Sequence, residues 1–269
     1  MSDTPDRYSH GHHESVLRSH VWRTAANSAG FLLPHLHAGD DLLDIGCGPG
    51  TISIDLAGIV APGSVTGIDR SSDVIEKARL TSMSSGRDNI TFEVGDVYDL
   101  RFADNHFDVV YAHQVLQHLS DPVAALREMR RVLRPGGLLA VRDADYSAFT
   151  WSPSDPRLDR WMELYHEITT RNDADADAGQ HLASWVSEAG FSLVEEAFST
   201  WTFDEPDERR WWGGLWADRV LQSEFASQGV EYGLTSLAEL STLSDAFRIW
   251  SEIDDGTFNV EHVDVLARK

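Results

Sequence analysis

The chain predicts an α/β protein with a Rossmann-like, seven-stranded, mostly parallel sheet, an antiparallel last strand, and helical insertions forming a lid on the substrate side. Three observations carry that prediction. Between Asp41 and Arg142, short apolar runs alternate with helix-period patterns, the mark of β-α-β units. A glycine-rich turn, DIGCGPG (44–50), follows the first apolar run, as it does where a backbone approaches a nucleotide. Successive strand ends carry Asp44, Asp69, Asp96 and His113-Gln114, at the sheet edge where parallel folds bind their ligands.

The elements follow in order. DLLDIG (41–46) is a strand stopped by glycine, and TISIDLAGIV (51–60) is a helix closed by Pro62-Gly63. SVTGID (64–69) is the second strand, and Ser71 or Ser72 caps the helix DVIEKARLTSMSS. NITFEVGD (89–96) and FDVVYAH (107–113) are the third and fourth strands. Asp121 caps PVAALREMRRVL, Pro122 sits in its first turn, and RPGG ends it before the fifth strand, LLAVRD (138–143). Beyond that point, RLDRWMELYHEITTR reads as a helix, FSLVEEAFST (191–200) as a strand, residues 205–256 as two helical patterns, and NVEHVDVLA (259–267) as the closing strand. Upstream of the sheet, a helix begins at about Ser15.

Composition limits the partners. The net charge is −22, whereas a nucleic-acid binder needs a basic face to displace counterions. The densest basic run, REMRRVLR (127–134), reads as the solvated face of a helix. A small-molecule substrate and no nucleic acid are expected. No apolar run approaches the roughly 20 residues of a membrane span, so no span is expected. The first residues lack a signal-peptide core, and the lone Cys47 fits a reducing compartment. The expected location is cytoplasmic.

The turn poses a question of ligand. A dinucleotide fingerprint reads G-x-G-x-x-G, but the glycines here are Gly46, Gly48 and Gly50, the third one residue early. Asp69, about 20 residues downstream, is placed to accept both ribose hydroxyls and to repel a 2′-phosphate. Any one strand-terminal aspartate can be only a helix cap; polar ends on four strands in register are a stronger signal.

LLDIGCGPG, VTGIDRS, ITFEVGDVYDLRFADNHFDVVYAHQVLQHLSD and ALREMRRVLRPGGLLAV together resemble the class I S-adenosylmethionine-dependent methyltransferases, closest to the small-molecule group that includes the ubiquinone/menaquinone C-methyltransferases. The resemblance covers roughly residues 40–143 and assigns the early third glycine to the D-x-G-x-G-x-G loop of that family. It implies S-adenosyl-L-methionine as cofactor and S-adenosyl-L-homocysteine as product. It also implies site residues: the backbone from Gly46 through Cys47 and Gly48 to Gly50 against the methionine moiety, with Asp44 near its ammonium. Asp69 would take the ribose and Arg70 would lie beside the adenine. Asp96 and the Val97 N–H would meet the adenine edge, and the backbone at Ala112, His113 and Gln114 would border the methionyl end. Cys47 reads as a packing residue of the loop. The N/D-P-P-Y signature of amino-group methylation on bases or glutamine is absent where AHQV (112–115) stands, which favours oxygen or carbon acceptors.

Methyl transfer asks the protein to position two reactants and to remove one proton. Histidine suits that task near neutral pH. His113, at the end of the fourth strand, is the first candidate base, and His118 the second. Eight of the nine tryptophans lie beyond residue 150, three of them in RRWWGGLW (209–216). They suit an aromatic core between insertion and sheet, or an aromatic-lined pocket under a lid. Substrate-side candidates are Tyr8, His12, His20 and Trp22 in the N-terminal segment, Tyr165, His166 and Arg171 in the middle helix, and Arg209, Trp212, Trp216 and Arg219 later. The N-terminal histidines lack a clear set of closing ligands, so no metal is expected.

The expected organisation is one domain over residues 1–269. Residues 1–39 form an N-terminal helical cap and 40–145 the cofactor-binding half. Residues 146–269 form the substrate half, with insertions at about 146–180 and 205–256. Two rivals stand: an NAD-linked oxidoreductase, against which the glycine spacing and Asp96 count, and a non-catalytic S-adenosylmethionine-binding protein.

Overall fold

The computed structural model describes residues 6–9 and 14–269, so His12 lies outside the described residues. Helices α1 (Glu14–Trp22) and α2 (Ala25–Ser28) precede the sheet. Five parallel strands follow: β1 (Leu42–Ile45), β2 (Val65–Asp69), β3 (Ile90–Val94), β4 (Phe107–His113) and β5 (Leu133–Ala144). Their crossovers include α3 (Thr51–Val60), α4 (Ser72–Ser85) and α5 (Pro122–Val132). The C-terminal half comprises β6 (Thr150–Ser152), α6 (Pro156–Arg171), α7 (Leu182–Glu188), β7 (Ser192–Phe203), α8 (Pro206–Gln222), α9 (Glu224–Glu231), α10 (Leu237–Ser251) and β8 (Thr257–Arg268).

These eight strand segments fill seven rows. Asn259 of β8 pairs with Thr150 of β6 and with Thr202 of β7, so β6 and β7 lie on opposite edges of β8. Because β7 follows one edge of β8 from Phe258 to Arg268, β5 and β6 share the other edge, end to end. The row order is β3-β2-β1-β4-β5-β8-β7, with β8 antiparallel to both neighbours. Residues 145–149 leave the sheet between β5 and β6, and that excursion brings Tyr146 and Phe149 to the cavity described below.

Local signals set most boundaries. The Ser71 and Asp121 side chains accept from the N–H groups of Val74 and Ala124 at the starts of α4 and α5. Gly86 closes α4 in the left-handed region, at φ 70°. RPGG does not lie between α5 and β5 as expected: strand pairing resumes at Leu133, immediately after the last helical residue. The 205–256 region holds three helices, not two. Ser223 makes the extra break: it ends α8, then its Oγ accepts from Phe225 N–H to start α9.

The central strands β1, β4, β5 and β8 are buried on both faces, while the edge strands β3 and β7 are largely exposed. Leu126, Met129 and Val186 of α5 and α7 cover one face, and Ala29, Leu56 and Val60 cover the other. A separate aromatic core, with Trp161, Trp216, Phe247, Trp250 and Phe258, fixes α6, α8 and α10 against the end of β8. This lid is therefore packed as tightly as a core. No helix among the described residues is long and apolar enough to cross a membrane.

Candidate active site

A cavity of about 470 Å³ opens at the carboxyl ends of β1, β2 and β4, beneath α1 and α8. Its first half is built by the glycine turn. Gly46 and Gly50 adopt φ of 67° and 82°, where a side chain is strained. A Cβ on either would also strike Val115 or the Phe92 ring at 2.5–2.6 Å. The turn thus needs glycine both for its backbone and for its neighbours. Gly50 supplies the shape without lining the cavity; Gly46, Cys47 and Gly48 line it. Ala112 likewise is fully buried in β4 and off the wall, while His113 and Gln114 reach it. Burial pushes the Cys47 thiol well up, and it packs with Ile75, Ala78 and Phe92, as befits a packing residue.

Three strand-end carboxylates face this half. Asp69 accepts from Gly48 N–H at 3.2 Å and from Ser71 N–H at 2.9 Å, which orients it across the turn. Asp96 lines the wall with Arg70 and Val97. Asp44 is 3 % exposed and accepts from Ser53 Oγ at 2.5 Å. Burial, with Asp69 nearby, raises its pKa to about 7. No cation pairs with it among the described residues. A buried, uncompensated carboxylate of this kind fits an ammonium-bearing ligand.

The second half is aromatic and basic. Tyr8, Trp22, Trp212 and Trp216 line it as anticipated. Arg23, Tyr146, Phe149, Trp201 and Trp211 also line it and were not singled out from sequence. The alternation in β7, with Trp201 and Phe203 buried and Thr200 and Thr202 exposed, is the signal that could have found Trp201. Four expected residues lie elsewhere, among them Arg171, exposed in the last turn of α6. Tyr165 is fully buried behind the wall, stacked on Tyr146 with ring centroids 4.0 Å apart. His166, one position on, turns to Asp177 at 3.0 Å. Arg209 donates to the Asp204 carbonyl at the start of α8. In each case the helix face was set by packing that sequence periodicity alone does not fix.

His113 stands where the halves meet. It is 6 % exposed, and neither ring nitrogen has a hydrogen-bond partner among the described residues. Burial first, then Arg23, Arg142 and His262, hold its pKa well below the ordinary value, so the ring is neutral. His118 also lines the cavity. Its Nε2 lies 3.0 Å from Gln117 Nε2, its ring meets Tyr8 edge-on, and burial lowers its pKa to about 3.

Gln114 braces this region from a φ of 53°, a sparsely populated region for a residue with a side chain. Its Oε1 accepts from Arg23 Nη2 at 2.5 Å, so its amide nitrogen faces His262 Nε2 at 2.9 Å. That geometry makes His262 Nε2 an acceptor. Arg142 lies against Asp264 at 3.4 Å, and Trp201 Nε1 and Arg142 Nη1 both donate to the Asn27 carbonyl. The N-terminal segment is thereby tied to β5 and β7 across the cavity.

Residues 36–190 match a family model described as a methyltransferase domain. An uncharacterised methyltransferase of Schizosaccharomyces pombe is 31 % identical over all of this chain and 99 % of its own length. The 27-O-demethylrifamycin SV methyltransferase of Amycolatopsis mediterranei is 39 % identical over 51 % of this chain and 48 % of its own. A methyltransferase structure from Bacillus halodurans superposes with a TM-score of 0.60 at 20 % identity, over 89 % of this chain and 96 % of that one. The oxidoreductase alternative falls with these matches. The glycine turn, the strand-end carboxylates and the sheet order are those of a member of the methyltransferase domain family, an S-adenosylmethionine-dependent methyltransferase.

Proposed function

We propose that this protein transfers a methyl group from S-adenosylmethionine to an oxygen, or to an acidic carbon, of a small aromatic or apolar metabolite. The observation that carries the reading is the division of one cavity into an acidic half, around the glycine turn, and an aromatic half under the lid, with His113 between them. The Gly46–Gly48 backbone and Asp44 would hold the methionyl end, Asp69 would hold the ribose, and Asp96, Val97 and Arg70 would border the adenine. When bound, the cofactor would supply a methyl already activated on a sulfonium, with no need of acid catalysis at the leaving group. The protein has to exclude water, align the acceptor and remove its proton.

His113 suits that last task as a neutral acceptor. The burial and, after it, the positive surroundings that keep it deprotonated at rest also leave its lone pair available to a substrate hydroxyl, which it would hold in line and whose proton it would take during transfer. Trp201, Trp211 and Trp212 provide flat apolar walls for the acceptor. The O-methylating relative from Amycolatopsis supports the oxygen acceptor. The test is incubation with methyl-labelled cofactor and fractionated metabolite extracts. Label is expected in a small aromatic product; transfer only to protein or nucleic acid would overturn the reading.

A further inference from the structure

The whole chain is strongly acidic, yet the aromatic half of its cavity is lined by two guanidiniums, that of Arg219 buried and that of Arg23 half-buried. Arg23 directly follows α1 and Arg219 lies on α8. Arg219 is 5 % exposed. Its Nη2 donates to Ser19 Oγ at 2.9 Å, and its Nε has no partner. Among the described residues the Arg23 guanidinium donates only to the neutral Gln114 amide oxygen, and its Nε is also without a partner. Among the described residues neither is within ion-pair distance of a carboxylate, including Asp6, Asp44, Asp69 and Asp96 of the same cavity.

Of the other buried arginines, Arg142 faces Asp264 and Arg209 turns from the cavity to a backbone carbonyl, although the Nε of each also lacks a hydrogen-bond partner among the described residues. A buried charge is ordinarily paired, because an unpaired one forfeits its hydration without return. Burial lowers the pKa of both cavity arginines, that of Arg23 to about 10, which leaves them charged at neutral pH. Aromatic faces lie against both: the Arg219 guanidinium is 4.5 Å from the Trp216 ring centre and that of Arg23 is 5.6 Å from Trp201.

We infer that the methyl acceptor is an organic oxyanion on a conjugated frame, its negative group held between Arg219 and Arg23 and its flat body against the tryptophan walls. This rests on the cofactor and methyl-transfer reading of the same cavity. The planar guanidinium offers two parallel donors to a carboxylate or to an acidic phenol or enol. The ligand's charge would supply the counterion that the described residues do not, and neutral analogues would leave the buried Arg219 cation uncompensated, which is a strong basis for rejection.

The test uses the full chain saturated with S-adenosylhomocysteine and follows tryptophan fluorescence. Benzoate, 4-hydroxybenzoate and cinnamate are titrated against their amides, and 4-nitrophenolate against 4-nitroanisole; the two anion types tell carboxylate from phenolate recognition. Wild type is expected to prefer an anion over its neutral partner by about tenfold or more. Arg219→Met should reduce that preference to about twofold or less, with Arg219→Lys retaining part of it. Arg219→Met should also raise the melting temperature, because an uncompensated buried charge is removed; a merely structural arginine would lower it. Equal binding of acids and amides, no binding of any acid while S-adenosylhomocysteine binds normally, or a preference that survives Arg219→Met and Arg23→Met would each overturn the inference. Failure of wild type to bind S-adenosylhomocysteine would instead overturn the cofactor reading on which it rests.

Discussion

At the scale of single residues, two buried groups make opposite use of desolvation. For His113 the neutral form is favoured, so the base is ready at every pH above its depressed pKa. Replacing it with alanine should cut turnover about 10²–10⁴-fold, the usual worth of general-base help, while cofactor affinity stays close to wild type. Turnover should be level from about pH 6 to 8, with its acidic limb displaced below the ordinary histidine range; a limb at about pH 6.5 that vanishes in the variant would show that the ring is more hydrated than its burial implies.

Asp44 is a buried acid that holds its proton up to about pH 7. Folded protein then binds more protons than unfolded protein between the carboxylate's ordinary pKa and about 7, so its contribution to stability declines as pH rises through that window. A ligand ammonium reverses the preference and expels the proton. Affinity for S-adenosylhomocysteine should therefore climb with pH below about 7, by at most about tenfold per unit for one proton, and level off above. Calorimetric titration across pH checks this, and Asp44→Asn should flatten the curve.

At the scale of elements, the lid rests on the contact of α8 with α10. At Gly213 a Cβ would lie 2.6 Å from Ser251 Cβ and 2.7 Å from the Phe247 carbonyl oxygen, both held by a helix backbone. Alanine there gains about 1 kcal/mol of helix propensity but overpacks the interface at a cost of about 1–3 kcal/mol. Gly213→Ala should therefore lower stability by up to about 2 kcal/mol in denaturant unfolding; a gain in stability would mean that the helices separate easily. The contrast with the cofactor half explains what sequence could reveal. Capping residues, the turn glycines and strand-end aspartates act within a few positions of themselves, so β1 through β5 and their site residues were legible. The aromatic wall joins α1, the Tyr146–Phe149 excursion, β7 and α8, which are far apart in sequence. Which faces of α6 and α8 turn inward is decided by their packing on β8, and that is why Tyr165, His166 and Arg209 read as pocket residues and Arg23, Trp201 and Trp211 did not.

At the scale of the whole molecule, charge is sorted: a net −22 over the chain, carboxylates around the glycine turn, and guanidiniums under the lid. A cationic cofactor and an anionic acceptor would each meet the opposite sign, so their apposition is arranged by the fold before either arrives. The central claim is that the strand-end carboxylates bind S-adenosylmethionine and its product. It is tested most directly by calorimetric titration of S-adenosylhomocysteine into wild type and Asp69→Ala. The expected result is saturable one-to-one binding by wild type and an affinity at least about a hundredfold weaker in the variant, the loss of two charge-assisted hydrogen bonds worth about 1.5–3 kcal/mol each. Equal affinity in the two proteins, or no binding by wild type, would contradict it.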